Sequence, residues 1–299
     1  TYNHELYIAE AIEGFLMQET NFPFEILIRD DCSTDKTALI VKEYANKYPT
    51  LIKPVYEKDN TFSKGVRPMP QVVKIAIGQY IALCEGDDYW TDSFKLKKQI
   101  ELLKKYPNAM MSVAYTDVFG YDNGTMNYIE TISKTIAGNS NPLQGFEDIK
   151  KSYFHTSTYV VRTDIIKKTI NDLNREKIRL SDTVLRYMLI QYGPFALLAE
   201  VVSVYRITGK GIWTSLDENE KFEEHFILYT NLFKILKGKY KRHIGSTVFS
   251  LYRIKMSRII SEYSFIHAMK LLPYLLYYLV LYKIPNKLIG IIKLKCGNK

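Results

Sequence analysis

A chain of 299 residues with 46% hydrophobic and 24% charged residues is ordinary for a globular protein, and is long enough for one large α/β domain plus an appendage. Its three cysteines, Cys32, Cys84 and Cys296, are far apart and lack C-x-x-C spacing, which excludes a zinc module and a disulfide framework and fits a reducing cytoplasm. The net charge of +9 is uneven: from Lys221 onward 15 Lys and Arg face only Glu223, Glu224 and Glu262, so this part carries +12 and the rest −3.

The chain opens abruptly at Thr1-Tyr2-Asn3, with no initiator Met and no signal-like segment, and reads as one trimmed or missing its first strand. Residues 4–18 carry Leu6, Ile8, Ala9, Ile12, Phe15 and Leu16 at helical spacing. A short strand at 24–28 runs into Arg29-Asp30-Asp31, and Ser33 or Thr34 caps a helix that Pro49 ends. A strand at 51–56, a helix at 68–77 and a buried strand at 79–84 follow, the last leading into Glu85-Gly86-Asp87-Asp88. Thr91 or Asp92 caps the next helix, and 110–118 is again strand-like. Strands separated by helices predict a mainly parallel sheet with helices on both faces, whose ligands sit outside the carboxyl ends of the strands. Both acidic pairs fall there. Beyond Tyr121 the spacing predicts a turn at Asn123-Gly124, a loop at 138–142, a strand at 156–161, a helix at 180–192 and a strand at 195–207. From Asp217 the chain reads as helical and basic, giving two domains, 1–216 and 217–299.

Two carboxylates at the end of a buried strand need compensation, and Mg²⁺ or Mn²⁺ shared with substrate phosphates is one form of it. Asp87-Asp88 suits that role, with one carboxylate on the metal and the other on a ribose or sugar hydroxyl; the plainer alternative is a helix cap or a solvated pair. Asp30-Asp31 offers a base contact or, again, a cap.

Thr1-Tyr2-Asn3, Arg29-Asp30-Asp31-Cys32-Ser33-Thr34-Asp35 and Glu85-Gly86-Asp87-Asp88-Tyr89-Trp90 together resemble the family 2 glycosyltransferases of GT-A fold, in particular bacterial enzymes that build capsule, O-antigen and other surface glycans. The resemblance spans roughly residues 1–207. It implies inverting transfer of a sugar from a nucleotide-diphosphate donor, a UDP-sugar first, to a hydroxyl of a glycan or lipid-linked acceptor. By the same resemblance Thr1 and Tyr2 border the base, Asp31 contacts it, Asp87 and Asp88 are the metal-binding motif with Asp88 the direct ligand, and Asp182 is the general base. Ser181 stands where that family usually has Glu, and Asp182 also fits a plain helix cap. Arg67 offers itself to the diphosphate or is a surface arginine; Trp90 floors the acceptor pocket or belongs to the core; His155 lines the acceptor side or is structural.

In the last third, 271–284 is too short to span a bilayer and is broken by Pro273, with Pro285 just beyond. Its flanking lysines and interleaved tyrosines suit an interfacial helix on an anionic membrane, which would place the protein peripherally on the inner face; a helical pair packed on the catalytic domain is the alternative. Nucleic acid is not expected, since no recognition motif accompanies the charge. Two competing functions remain: a sugar nucleotidyltransferase, which should show a Gly-rich phosphate loop that is absent here, and a non-catalytic scaffold, which has no need of Asp31, Asp87, Asp88 and Asp182.

Overall fold

The computed structural model of the chain describes residues 1–122, 125–132, 141–149, 151–209, 211, 215–262 and 269–278. The expected turn at Asn123-Gly124, most of the 138–142 loop and the apolar run past Tyr278 lie outside the described residues. The chain divides into two compact units, Thr1–Ser215 and Leu216–Lys299.

The first unit begins with α1 (Ile8–Leu16), β1 (Ile26–Asp30), α2 (Thr37–Lys47) and β2 (Ile52–Tyr56). In α1, Ile8, Ala11 and Ile12 recur at the i, i+3, i+4 spacing that lines one face of a helix. They bury against Ile26 and Ile28 of β1, Val41 of α2 and Ile52 of β2. β1 and β2 pair in parallel, Ile26 opposite Ile52 through Asp30 opposite Tyr56. The expected Ser33 or Thr34 cap is not used for α2. Asp30 takes Ser33 N (3.0 Å) and Ser33 Oγ (2.5 Å), and the helix starts only at Thr37.

Then come α3 (Pro68–Ile75), β3 (Tyr80–Ala82), β4 (Tyr89–Trp90), α4 (Lys95–Lys105), β5 (Met111–Asp122), β6 (Thr125–Ile132), β7 (Leu143–Gln144), α5 (Phe146–Ile149), β8 (Val160–Arg162), α6 (Thr163–Arg175), α7 (Asp182–Leu189) and β9 (Phe195–Ile207). The second sheet has the order β3-β8-β5-β9-β4, with β6 against β5 and β7 against β9. Its longest ladder, β5 with β9, is parallel; its other pairings are antiparallel. Ser203 of β9 pairs with Thr116 of β5 on one side and Trp90 of β4 on the other. The acidic segment 85–88 joins β3 to β4 and so lies at the end of this sheet.

The strand expected over 156–161 is corrected at its start. Thr156–Thr158 form a 3₁₀ turn, because Thr158 returns both its N–H (3.0 Å) and its hydroxyl (2.8 Å) to the His155 carbonyl before β8 begins. Such local side-chain bonding competes with a sheet ladder. By contrast β9 covers 195–207 as expected.

The second unit contains α8 (Glu218–Ile235), α9 (Gly238–Glu262) and α10 (Leu272–Tyr278). Asp217 and Glu220 form a capping box at the start of α8. Phe226 packs edge-on against Tyr252, which stacks on Tyr278, and Lys255 pairs with Glu223 at 2.7 Å. Tyr274, Leu276 and Tyr277 on α10 stay exposed. Among the described residues no helix is long and apolar enough to cross a membrane.

Candidate active site

The site grows from the loop after β3. Asp88 is 1% exposed, and its Oδ1 accepts the Arg206 backbone N–H at 2.9 Å. The Arg206 guanidinium donates to the Asp87 carbonyl at 2.8 Å, pairs with Glu10, and lies 4.2 Å from the Tyr89 ring centroid. β9 thus holds both aspartates in place from 118 and 119 residues away. On the other side Gly86 packs against Thr1 and His4: a Cβ there would meet Thr1 Oγ1 at 2.5 Å and His4 Nδ1 at 2.9 Å. Only a residue without a side chain lets this loop come so close. Asp87 is half-buried, with Oδ2 3.9 Å from His4 Nε2.

A carboxylate oxygen of Glu85, one of Asp88 and a ring nitrogen of His155 lie within 4.8 Å of one another. His155 Nε2 is 3.7 Å from Asp88 Oδ2, and the imidazole stacks on Tyr205 at 4.2 Å. Desolvation lowers the His155 pKa to about 3, so the ring is neutral. Desolvation first, then the charges of Glu85 and Asp87, push the Asp88 carboxyl well above the usual range, against the pull of Arg206. The Glu85 side chain opens to solvent, yet the protein around its carboxyl, followed by Asp87 and Asp182, raises it to about 7. Carboxylates that raise one another in this way are stabilised as anions by a shared cation. Two hard oxygen donors and one neutral imidazole fit Mn²⁺, and the carboxylates alone fit Mg²⁺.

Asp182 is the first residue of α7, but the cap is Ser181, whose hydroxyl accepts Val184 N–H at 3.2 Å. The Asp182 carboxylate accepts the Tyr153 hydroxyl at 3.2 Å. Its charge is felt by Glu85, Tyr205 and Tyr159, which brings it to the same end of the sheet as the acidic loop.

Asp31 follows directly on β1 and is 4% exposed. Its Oδ1 accepts Arg29 Nη2 (2.9 Å), Thr61 Oγ1 (2.7 Å) and Thr61 N (3.1 Å), and its Oδ2 accepts Phe62 N (2.9 Å). Burial works to raise this carboxyl, but the bonds from Thr61 and Phe62 and the Arg29 charge outweigh it and hold the pKa below its ordinary value. Asp31 therefore pins the 60–62 segment onto β1. Thr1 is strung along the same edge, its N donating to Arg29 O (2.7 Å) and its O accepting Asp31 N (3.0 Å), while Tyr2 is exposed. Arg67 places its guanidinium 4.9 Å from the Phe62 ring centroid.

One expected residue sits differently from a ligand-lining role. Trp90 is 6% exposed, packs edge-on against Phe15 at 4.7 Å and carries Lys95 over its ring at 4.2 Å, so it has almost no surface for an acceptor. Its Nε1 donates to Ser157 O at 2.9 Å and props the 3₁₀ turn that carries His155. His155 itself lies against Asp88. Arg206, His4, Ser157 and Glu85 are functional candidates that the sequence motifs do not single out. Glu85 has a signal in its place two residues before Asp87. Arg206 has none, being a single arginine in an apolar strand.

The chain shares this architecture with solved sugar transferases. It aligns with S. aureus TarS residues 1–349 at TM-score 0.58 and 19% identity, covering 94% of this chain and 78% of that one. It aligns with a mannosyltransferase from Pyrobaculum calidifontis, solved with GDP-Man and Mn²⁺, at TM-score 0.54 and 15% identity, covering 95% and 79%. The fold is GT-A. The family model "Glycosyl transferase family 2" matches residues 1–170, and the chain belongs to that family. An uncharacterized protein of Mycobacterium tuberculosis is 34% identical over 232 residues, 75% of this chain and 62% of that one, so the chain spans about 62% of the length of that relative. The minor teichoic acid biosynthesis protein GgaB of Bacillus subtilis is 27% identical over 247 residues, 79% of this chain and 26% of that protein.

Proposed function

We propose that the protein is an inverting, Mn²⁺- or Mg²⁺-dependent transferase that moves a sugar from a UDP-sugar to a hydroxyl of a glycan or lipid-linked acceptor during synthesis of a surface polymer. What carries this reading is the division of labour at the start of α7. Ser181 does the capping, which leaves the Asp182 carboxylate, oriented by Tyr153, available to accept a proton beside the Glu85–Asp88–His155 cluster. The relation to GgaB supports a surface-polymer acceptor.

In this scheme Asp31, Thr1 and Tyr2 border the base, and Arg67, on the loop pinned by Asp31, faces the diphosphate. Asp87 takes a ribose or sugar hydroxyl. Glu85, Asp88 and His155 hold the cation, which when bound neutralises the departing diphosphate. Asp182 takes the proton from the acceptor hydroxyl as its oxygen bonds to the anomeric carbon. The bond from that carbon to the diphosphate breaks on the opposite face, and the diphosphate leaves with the electron pair. The exposed Tyr274, Leu276 and Tyr277 on α10, with the positive charge of the second unit, support a peripheral position on an anionic membrane.

Calorimetry with a panel of nucleotide diphosphates tests the donor. UDP should bind in Mn²⁺ and weaken at least tenfold in EDTA and in Asp88→Asn. Equal affinity under all three conditions removes the metal from the account.

A further inference from the structure

Behind His155 lies a run of buried hydroxyls that reaches the centre of the sheet. His155 Nδ1 is 2.9 Å from Ser157 Oγ, Ser157 Oγ donates to Ser203 Oγ at 2.9 Å, and Ser203 Oγ is 2.5 Å from Thr116 Oγ1. Thr116 Oγ1 in turn donates to the Ser203 carbonyl at 2.9 Å. Ser157, Ser203 and Thr116 are all 0% exposed, so water cannot supply or remove a proton along the run.

Each hydroxyl has one proton, and this decides the direction. If Thr116 donates to the Ser203 carbonyl, it can only accept from Ser203 Oγ. Ser203 then accepts from Ser157, and Ser157 can only accept from His155 Nδ1–H. All four contacts hold a proton in this order. Any arrangement that leaves Nδ1 bare gives up a 2.9 Å bond, either from Thr116 to the Ser203 carbonyl or from Ser157 to Ser203, and gains only the contact from Ser157 N to Nδ1, which is 3.4 Å long. With the proton on Nδ1, the Nε2 lone pair faces Asp88 Oδ2 at 3.7 Å. A bare ring nitrogen beside a carboxylate oxygen gives two donor atoms that one cation would be held by.

We propose that Thr116, Ser203 and Ser157 are positioning residues that fix the Nδ1–H tautomer of His155, and that His155 thereby becomes a nitrogen ligand that makes the Glu85–Asp88 site select Mn²⁺ over Mg²⁺. The selectivity follows from ligand chemistry: imidazole nitrogen bonds to first-row transition ions and adds little for Mg²⁺, which prefers oxygen. The inference rests on the cation role given to Glu85, Asp88 and His155 above, and it adds which ion and which buried groups decide it.

The test uses the full chain and the metal ions alone. In the wild-type protein at neutral pH without added metal, the ¹⁵N shifts of His155 should show Nδ1 protonated and Nε2 bare; Nε2 protonated overturns the proposal whatever the variants do. Mn²⁺ affinity, read from the EPR signal of free Mn²⁺, should fall about 10- to 100-fold in His155→Gln and about tenfold in Ser157→Ala and Ser203→Ala. Mg²⁺ affinity, read by competition, should change less than threefold. Ser157→Thr keeps the hydroxyl and should restore Mn²⁺ preference, which a merely structural role would not require. If His155→Gln keeps the wild-type ratio of Mn²⁺ to Mg²⁺ affinity, His155 is not the selecting ligand. UDP-sugar turnover is measured separately: active protein with an unselective site refutes this inference alone, and a selective site without any transfer refutes the transferase reading alone.

Discussion

Gly86→Ala should damage the site more than its single methyl suggests. The new Cβ would lie 2.5 Å from Thr1 Oγ1, 2.8 Å from Thr1 Cβ and 2.9 Å from His4 Nδ1. Thr1 Oγ1 can rotate away, but Thr1 Cβ cannot, because the Thr1 main chain is held by Arg29 O at 2.7 Å and by Asp31 N at 3.0 Å. Carbon atoms want ~3.5 Å between them, so the 85–88 loop must retreat by roughly 0.7 Å. Overpacking of this kind costs about 1–3 kcal/mol, or roughly 2–10 °C in melting temperature for a domain of this size. The displacement also moves Asp87 and Asp88, and a shift approaching 1 Å at a reacting centre can cost ~10²-fold in rate. Thermal unfolding and Mn²⁺ titration check both halves. Gly145→Ala is the control, since its Cβ would meet only Asp148 Oδ2 at 3.7 Å. If Gly86→Ala melts within about 1 °C of wild type and binds Mn²⁺ equally well, the close packing of the loop on Thr1 does not position the aspartates.

Arg206→Met should lower stability by about 2–4 kcal/mol and weaken Mn²⁺ binding, because the Asp87 carbonyl loses a charged donor and the Tyr89 ring its cation; denaturant melts and titration would read this. Lys95 is fully buried over Trp90, and desolvation lowers its pKa from 10.5 to about 7. The unfolded chain keeps that proton to higher pH than the folded one, so stability should rise as pH climbs from 7 toward 10, and Lys95→Met should abolish the rise and stabilise the protein at pH 6–7 by ~1–3 kcal/mol. Asp31→Asn should destabilise by roughly 1.5–3 kcal/mol at neutral pH, with the difference from wild type vanishing as pH falls below 3.8, where the depressed carboxyl of the folded state is finally protonated. Leu276→Asp with Tyr277→Asp should release the protein from phosphatidylglycerol vesicles in a co-sedimentation assay while leaving UDP affinity unchanged; continued pelleting would assign α10 to packing instead.

The first half of the chain was legible because its punctuation is strong. Pro68 opens α3, apolar residues recur at helical spacing in α1, and a strand ending in paired aspartates marks the edge of a sheet. What the sequence could not show is which strands pair. Ser203 and Arg206 lie in β9, whose apolar run gives no sign that it sits between β4 and β5, and only that neighbourhood makes either residue part of the site. Trp90, two residues past Asp88, reads as the floor of an acceptor pocket or as core with equal ease, and its burial depends on Phe15 from α1 and on Lys95. In the sequence His155 is a lone histidine. Its place against Asp88 follows from the 3₁₀ turn, which strand periodicity does not anticipate.

The central claim is that Asp182 accepts the acceptor proton in an inverting transfer. The measurement that tests it most directly compares wild type and Asp182→Asn with a UDP-sugar panel and Mn²⁺, following turnover and the anomeric configuration of the product by NMR. The account predicts inverted product from the wild type, unchanged UDP affinity in the variant, and a kcat lower by ~10²–10⁴. Retained configuration, or a variant that turns over at the wild-type rate, would contradict it.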